Sequence, residues 1–128
     1  MAKTVINPSG LAAPSGYSYA IKKSGTPVYV SGQVALDGQG KLVGENDVAA
    51  QTERVFANLR TVVEAAGGTL DDVVKITIFV TDASYRSAVA AARAKWFKEG
   101  QYPASTYLVV SALAVPQLLV EVEAIAVV

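Results

Sequence analysis

The sequence contains no cysteine and no histidine. The first absence excludes disulfides, thiolate metal ligands and a cysteine nucleophile. It also fits a reducing compartment, so a cytoplasmic setting is expected. The second absence removes the commonest general base, the commonest zinc ligand and any Ser-His-Asp triad. Charge is scarce as well. Only 17% of residues are charged, and 11 basic residues cancel 11 acidic ones. No basic stripe forms, so nucleic acid is not an expected partner. No apolar run approaches the ~20 residues of a membrane span, and no signal core opens the chain.

What remains is 128 residues, enough for a single domain over residues 1–128 with a sizeable core. Apolar residues make up 52%. So little charge leaves much of a monomer's surface without polar cover, and self-association is the simplest explanation. The alternative is an ordinary monomer with a core rich in alanine and valine.

The pattern along the chain is one of strands and two helices. Thr4–Ile6, Tyr17–Lys22 and Val28–Ser31 read as strands, with a turn at Lys23–Thr26 and another at Asp37–Gly40. Asn46 or Asp47 can cap a helix whose core stripe is Val48, Val55, Phe56, Leu59, Val62 and Val63. Gln51, Arg54 and Asn58 fall on its outward face, and Gly67-Gly68 ends it. Val73–Thr81 alternates as a strand. Asp82 or Ser84 caps a second helix with Tyr85, Val89, Ala92 and Trp96 inward and Gly100 as its stop. Ser105–Ser111 and Leu118–Val127 close the chain as strands. The predicted fold is α+β, a two-layer sandwich of one mixed sheet with both helices on one face. The other face has no cover within the chain, which again points to copies of itself.

Several motifs, in order, resemble the Rid (YjgF-like) family, the reactive-intermediate deaminases once labelled L-PSP endoribonucleases. They are Gly16-Tyr17-Ser18, Val30-Ser31-Gly32-Gln33, Gln51-Thr52 with Asn58-Leu59, Glu64–Gly68 with Asp72–Lys75, and Val120–Ala126. The resemblance implies a YjgF/chorismate-mutase-like fold, a homotrimer and small-molecule clefts between subunits. It implies hydrolysis of imines or enamines to a carbonyl compound and ammonia, without a metal or cofactor. It also implies site residues: Glu121 as the catalytic carboxylate, and Tyr17, Ser31, Gly32, Ser105 and Tyr107 as substrate-binding positions.

One departure bears on the substrate. Active deaminases of the family carry Pro-Ala-Arg-Ser where this chain reads Pro103-Ala104-Ser105-Thr106. That arginine grips a carboxylate through two parallel charge-assisted hydrogen bonds. Losing such a bond costs about 1.5–3 kcal/mol, roughly 10- to 150-fold in affinity. Ala90 stands where an asparagine is usual, and Tyr107 where a small residue is. The chain therefore resembles an arginine-lacking branch. Arg93, at an aromatic position of the family, reads as a solvated surface residue, with a compensating cation in the cleft as the alternative. Glu121 lies in an apolar strand, where burial favours a proton-transferring carboxyl; the alternative is a paired surface glutamate. Two functions are expected to compete: a trimeric imine or enamine hydrolase, and a non-catalytic trimer that binds a small ligand or a protein. Ribonuclease activity fits poorly with a chain lacking histidine and a basic patch.

Overall fold

The computed structural model describes residues 3–128. Six strands and two helices form it: β1 (Thr4–Ile6), β2 (Ala20–Lys22), β3 (Pro27–Gln33), α1 (Val48–Ala65), β4 (Val73–Val80), α2 (Arg86–Trp96), β5 (Ala104–Val109) and β6 (Val120–Val127). The last four strands make one mixed sheet in the order β3-β6-β4-β5. β4 and β5 are parallel, while β6 runs antiparallel to both β3 and β4. β1 and β2 do not join this sheet. They pair as a separate two-stranded ribbon, so the single sheet expected from the sequence holds only for the strands from β3 onward.

Alternation decides which face each strand buries. Ile76, Ile78 and Val80 of β4 are fully buried, as are Val120, Val122 and Ala126 of β6. Across from them α1 contributes Val55, Phe56, Leu59 and Val63, also fully buried. α1 begins at Asp47, whose carboxylate accepts from the Ala50 amide at 3.0 Å. It ends in a Schellman motif: Gly68 N–H donates to Val63 O and Gly67 N–H to Glu64 O, with Gly67 at φ 90.

Two residues of α1 depart from the sequence reading. Val62 is 36% exposed and lies off the core stripe. Gln51, expected outward, is fully buried. Its amide donates to Gly44 O and Gln117 O and accepts from Leu119 N–H, at 2.9–3.1 Å. Burial is tolerated because its donors and its acceptor are used. Asn58 is half-buried and plays a similar part, donating to Val34 O and Leu36 O at 3.0 Å.

α2 follows a short 3-10 turn in which the Asp82 carboxylate accepts from Ser84 N–H at 2.8 Å. Val89 and Ala92 are buried. The helix stops at Trp96, ahead of the expected Gly100, because Phe97 leaves it in extended geometry. Phe97 is buried and meets Phe56 edge-on, with centroids 5.7 Å apart. Trp96, expected in the core, packs against it only partly buried, and its indole N–H donates to Glu53 Oε2 at 2.8 Å.

Candidate functional site

The β4–β5 register pairs Ser105 with Ile76 and Tyr107 with Ile78. Ser105 and Tyr107 therefore face the helix side of the sheet. β5 is the edge strand, and α2 lies over this end. Arg86, Ala90 and Arg93 recur at i, i+4 and i+7 on α2 and so share one face. With Tyr17, Ser105 and Tyr107 they line a cavity of about 330 Å³, within the range of small-metabolite sites.

Tyr17 reaches this cavity through a fastened loop. Ser18 is buried; its N–H donates to Pro103 O at 3.2 Å and its hydroxyl to Tyr102 O at 2.6 Å. Ser18 also forms a parallel bridge with Ala104 at the start of β5. Tyr19 secures the other side, with its amide donating to Asn7 Oδ1 and its hydroxyl to Ala12 O, both at 2.8 Å. The Tyr17 and Tyr19 rings meet edge-on at 5.5 Å. Gly16 takes φ 76, and a Cβ there would sit 2.2 Å from Arg93 Nη2. A bare backbone at residue 16 thus makes room for the guanidinium.

Arg93 is not the solvated surface residue expected from the sequence. It is half-buried in the cavity wall, and its Nε has no hydrogen-bond partner among the described residues. The Tyr107 hydroxyl is buried without a partner too. Burial draws the Arg93 guanidinium below its ordinary pKa, with Arg86 adding to the effect and Tyr102 and Tyr107 opposing it. Burial raises the Tyr107 phenol, against the pull of Arg86 and Arg93.

The other three candidates lie elsewhere. β3 pairs with β6 through Val30↔Ala124 and next through Gln33↔Val122, so Ser31 and Gly32 form a bulge opposite Glu123. Glu121 pairs with Phe79 and points to the face away from the helices. A Cβ on Gly32 would sit 1.9 Å from Glu121 Oε2. The carboxylate lies directly over the Gly32 backbone. Glu121 is half-buried and forms no ion pair among the described residues.

Within one chain the six candidates thus form two groups. Tyr17, Ser105 and Tyr107 share the edge cavity, and Ser31, Gly32 and Glu121 share the opposite face at β3–β6. Sequence reasoning missed Arg86 altogether, although its spacing from Ala90 and Arg93 was readable. Among the described residues no cluster of acidic side chains could hold a metal ion, and no helix is long and apolar enough to cross a membrane.

Residues 8–128 match the family model described as endoribonuclease L-PSP. A RutC family protein of Pyrococcus abyssi is 36% identical over 127 residues, covering 98% of each chain. Among solved structures, a conserved Rid-family protein of unknown function from Yersinia pestis is 37% identical, with a TM-score of 0.93 over 100% of both chains. RidA from an Antarctic Psychrobacter is also 37% identical, with a TM-score of 0.75 over 91% of this chain and 92% of its own.

Proposed function

This chain belongs to the Rid family, the one described as endoribonuclease L-PSP, and on that premise we propose that it is a small-molecule imine or enamine hydrolase whose site is completed between copies of the chain in a homotrimer. One observation carries this reading. The family's site positions fall into two groups on opposite faces of one sheet, so a site that uses all of them needs two copies. The edge cavity of one protomer, with Tyr17, Ser105 and Tyr107, would meet the Ser31, Gly32 and Glu121 face of the next.

The chemistry suits the residues. Water adds across C=N, and the resulting carbinolamine collapses to a carbonyl compound and ammonia. One group must take a proton from the water and return one to the departing nitrogen. Glu121 can do both, because its carboxylate is half-buried and has no ion-pair partner among the described residues. The bulge at Ser31-Gly32 puts a hydroxyl and an open stretch of backbone beside it. No step requires a cofactor.

The test pairs the pure protein with a dehydratase that generates 2-aminoacrylate and with a panel of other imines, and follows ammonia release. Acceleration is expected for some member of the panel, and Glu121→Gln should reduce it about 100-fold or more. No acceleration with any of them would sink the reading.

A second reading has its own observation. Ser105 and Ala90 remove the arginine and asparagine of active deaminases from the cavity, which favours a trimer that binds a ligand without turning it over. A thermal-shift screen with keto acids, aromatic acids and uncharged imines separates the two readings, since turnover of any hit rejects pure binding.

A further inference from the structure

Within one chain, and among the described residues, the edge cavity is lined by two cations and no anion. Arg86 and Arg93 lie two turns apart on α2 and both line it, while no aspartate or glutamate does. Neither arginine forms an ion pair among the described residues. Arg93 is half-buried with its Nε unpartnered, and the Tyr107 hydroxyl in the same wall is unpartnered as well. Taking a guanidinium out of water without a partner is costly, and a second cation nearby adds repulsion. The loop backbone nonetheless accommodates this placement: Gly16 holds a left-handed φ and leaves free the volume where its own Cβ would strike Arg93 Nη2. An anion in the cavity would satisfy each of these groups.

We propose that Arg93 and Arg86 supply the anion grip that Ser105 cannot, and that the cavity selects small organic diacids over monoacids. One carboxylate occupies the planar fork of one guanidinium. The second guanidinium is then free for a second anionic group. Ser105 and Tyr107 offer neutral hydroxyls to the part of the ligand between its two ends. The charge of a bound anion offsets the desolvation that lowers the Arg93 pKa. The inference rests on the reading of this cavity as the substrate site, but it concerns binding and not turnover.

The experiment is calorimetric titration of the full-length protein with 2-oxoglutarate and with 2-oxobutyrate, the same 2-oxo acid group with and without a second carboxylate. Wild type should bind the diacid at least about tenfold more tightly. Arg93→Gln and Arg86→Gln should each remove that preference. Gly16→Ala leaves both arginines in the sequence but should displace the Arg93 guanidinium and so weaken diacid binding. Arg93→Met serves as the structural control. It removes an unpaired, half-buried charge, so the unliganded protein should melt at or above the wild-type temperature. Equal affinity for the two acids, no diacid binding at all, or diacid binding unchanged in Arg93→Gln would overturn the proposal; so would a large fall in melting temperature for Arg93→Met. Diacid binding that depends on Arg93 in a protein that hydrolyses no imine would sustain this inference and reject the hydrolase. Imine turnover by a protein whose diacid binding is unchanged in Arg93→Gln would do the reverse.

Discussion

Glu121 is held where it is by what residue 32 lacks. Its carboxylate lies over the Gly32 backbone, in the space a methyl group would take. Gly32→Ala should therefore displace the carboxylate without changing its chemistry. If Glu121 moves the proton, steady-state hydrolysis by Gly32→Ala should fall by about 10²-fold or more, as it should in Glu121→Gln. A circular dichroism melt close to wild type would show that the loss is not unfolding. Gln51 provides the matching test of stability. Gln51→Leu keeps the volume and leaves Gly44 O, Gln117 O and Leu119 N–H without their partner. Urea denaturation should show a loss of about 2–4 kcal/mol. Gln51 and Arg93 were both assigned to solvent from the sequence, and for the same reason. Residue type tells that a side chain is polar, not whether partners or a cavity await it. Gln51 finds its partners up to 68 residues away, and Arg93 finds a gap opened by a glycine 77 positions earlier in the chain. Tyr17, Ser105 and Tyr107, singled out by their motif positions, line one cavity.

At the scale of elements, alternation and helical spacing carried most of the reading. β4, β6 and the buried stripe of α1 fall close to where the sequence placed them. The ends were harder, because each is decided by a contact from elsewhere. Gly100 looked like the stop of α2, yet the helix yields three residues earlier, when Phe97 turns in against Phe56. Phe97→Ala should cost about 3–5 kcal/mol by equilibrium denaturation, as a buried aromatic does when truncated. Tyr17–Lys22 looked like one strand, but the Tyr19 amide donates to Asn7 Oδ1 and the Ser18 and Tyr19 hydroxyls donate to Tyr102 O and Ala12 O, which holds its first half as loop. A partly buried ion pair ties the β1–β2 ribbon to the rest. Lys23, just after β2, donates to Asp72 beside β4 and to Val127 O of β6. The hydrogen bond from Lys23 is the largest of the effects that hold the Asp72 carboxyl below its ordinary pKa. A depressed carboxyl stabilises the fold fully above its unfolded pKa of about 3.9, and the contribution is lost as pH falls through the folded value. The drop in stability between pH 6 and pH 3 should thus be smaller in Asp72→Asn than in wild type, as read by denaturant midpoints.

At the scale of the molecule, both helices cover one face of the sheet and leave the other to solvent in a single chain. Tyr29 on that face is 77% exposed, and Leu108 is 42% exposed. The order of strands and helices was enough to expect this face. It was not enough to assign the candidate residues to faces, because that assignment needs the register between strands. Ser105 opposite Ile76 and Glu121 opposite Phe79 are pairings that no local pattern states. On the intersubunit reading, light scattering after size exclusion should give three times the chain mass. Tyr29→Lys should shift the mass toward monomer and abolish hydrolysis with Glu121 and Arg93 both intact.

The Tyr17 loop also guards the sheet. β5 ladders only with β4, and on its open side the bridge from Ser18 to Ala104 is the first rung of a pairing that goes no further. Beyond it Thr106 to Val109 present a β-rich edge with no strand beside it among the described residues, a template for pairing with foreign chains. Peeling back the loop to widen the cavity's mouth would strip that rung as well. A variant that frees the loop, such as Ser18→Ala, should therefore lengthen the open edge by that one rung as it widens the cavity, and turbidity on concentrating the protein would report it.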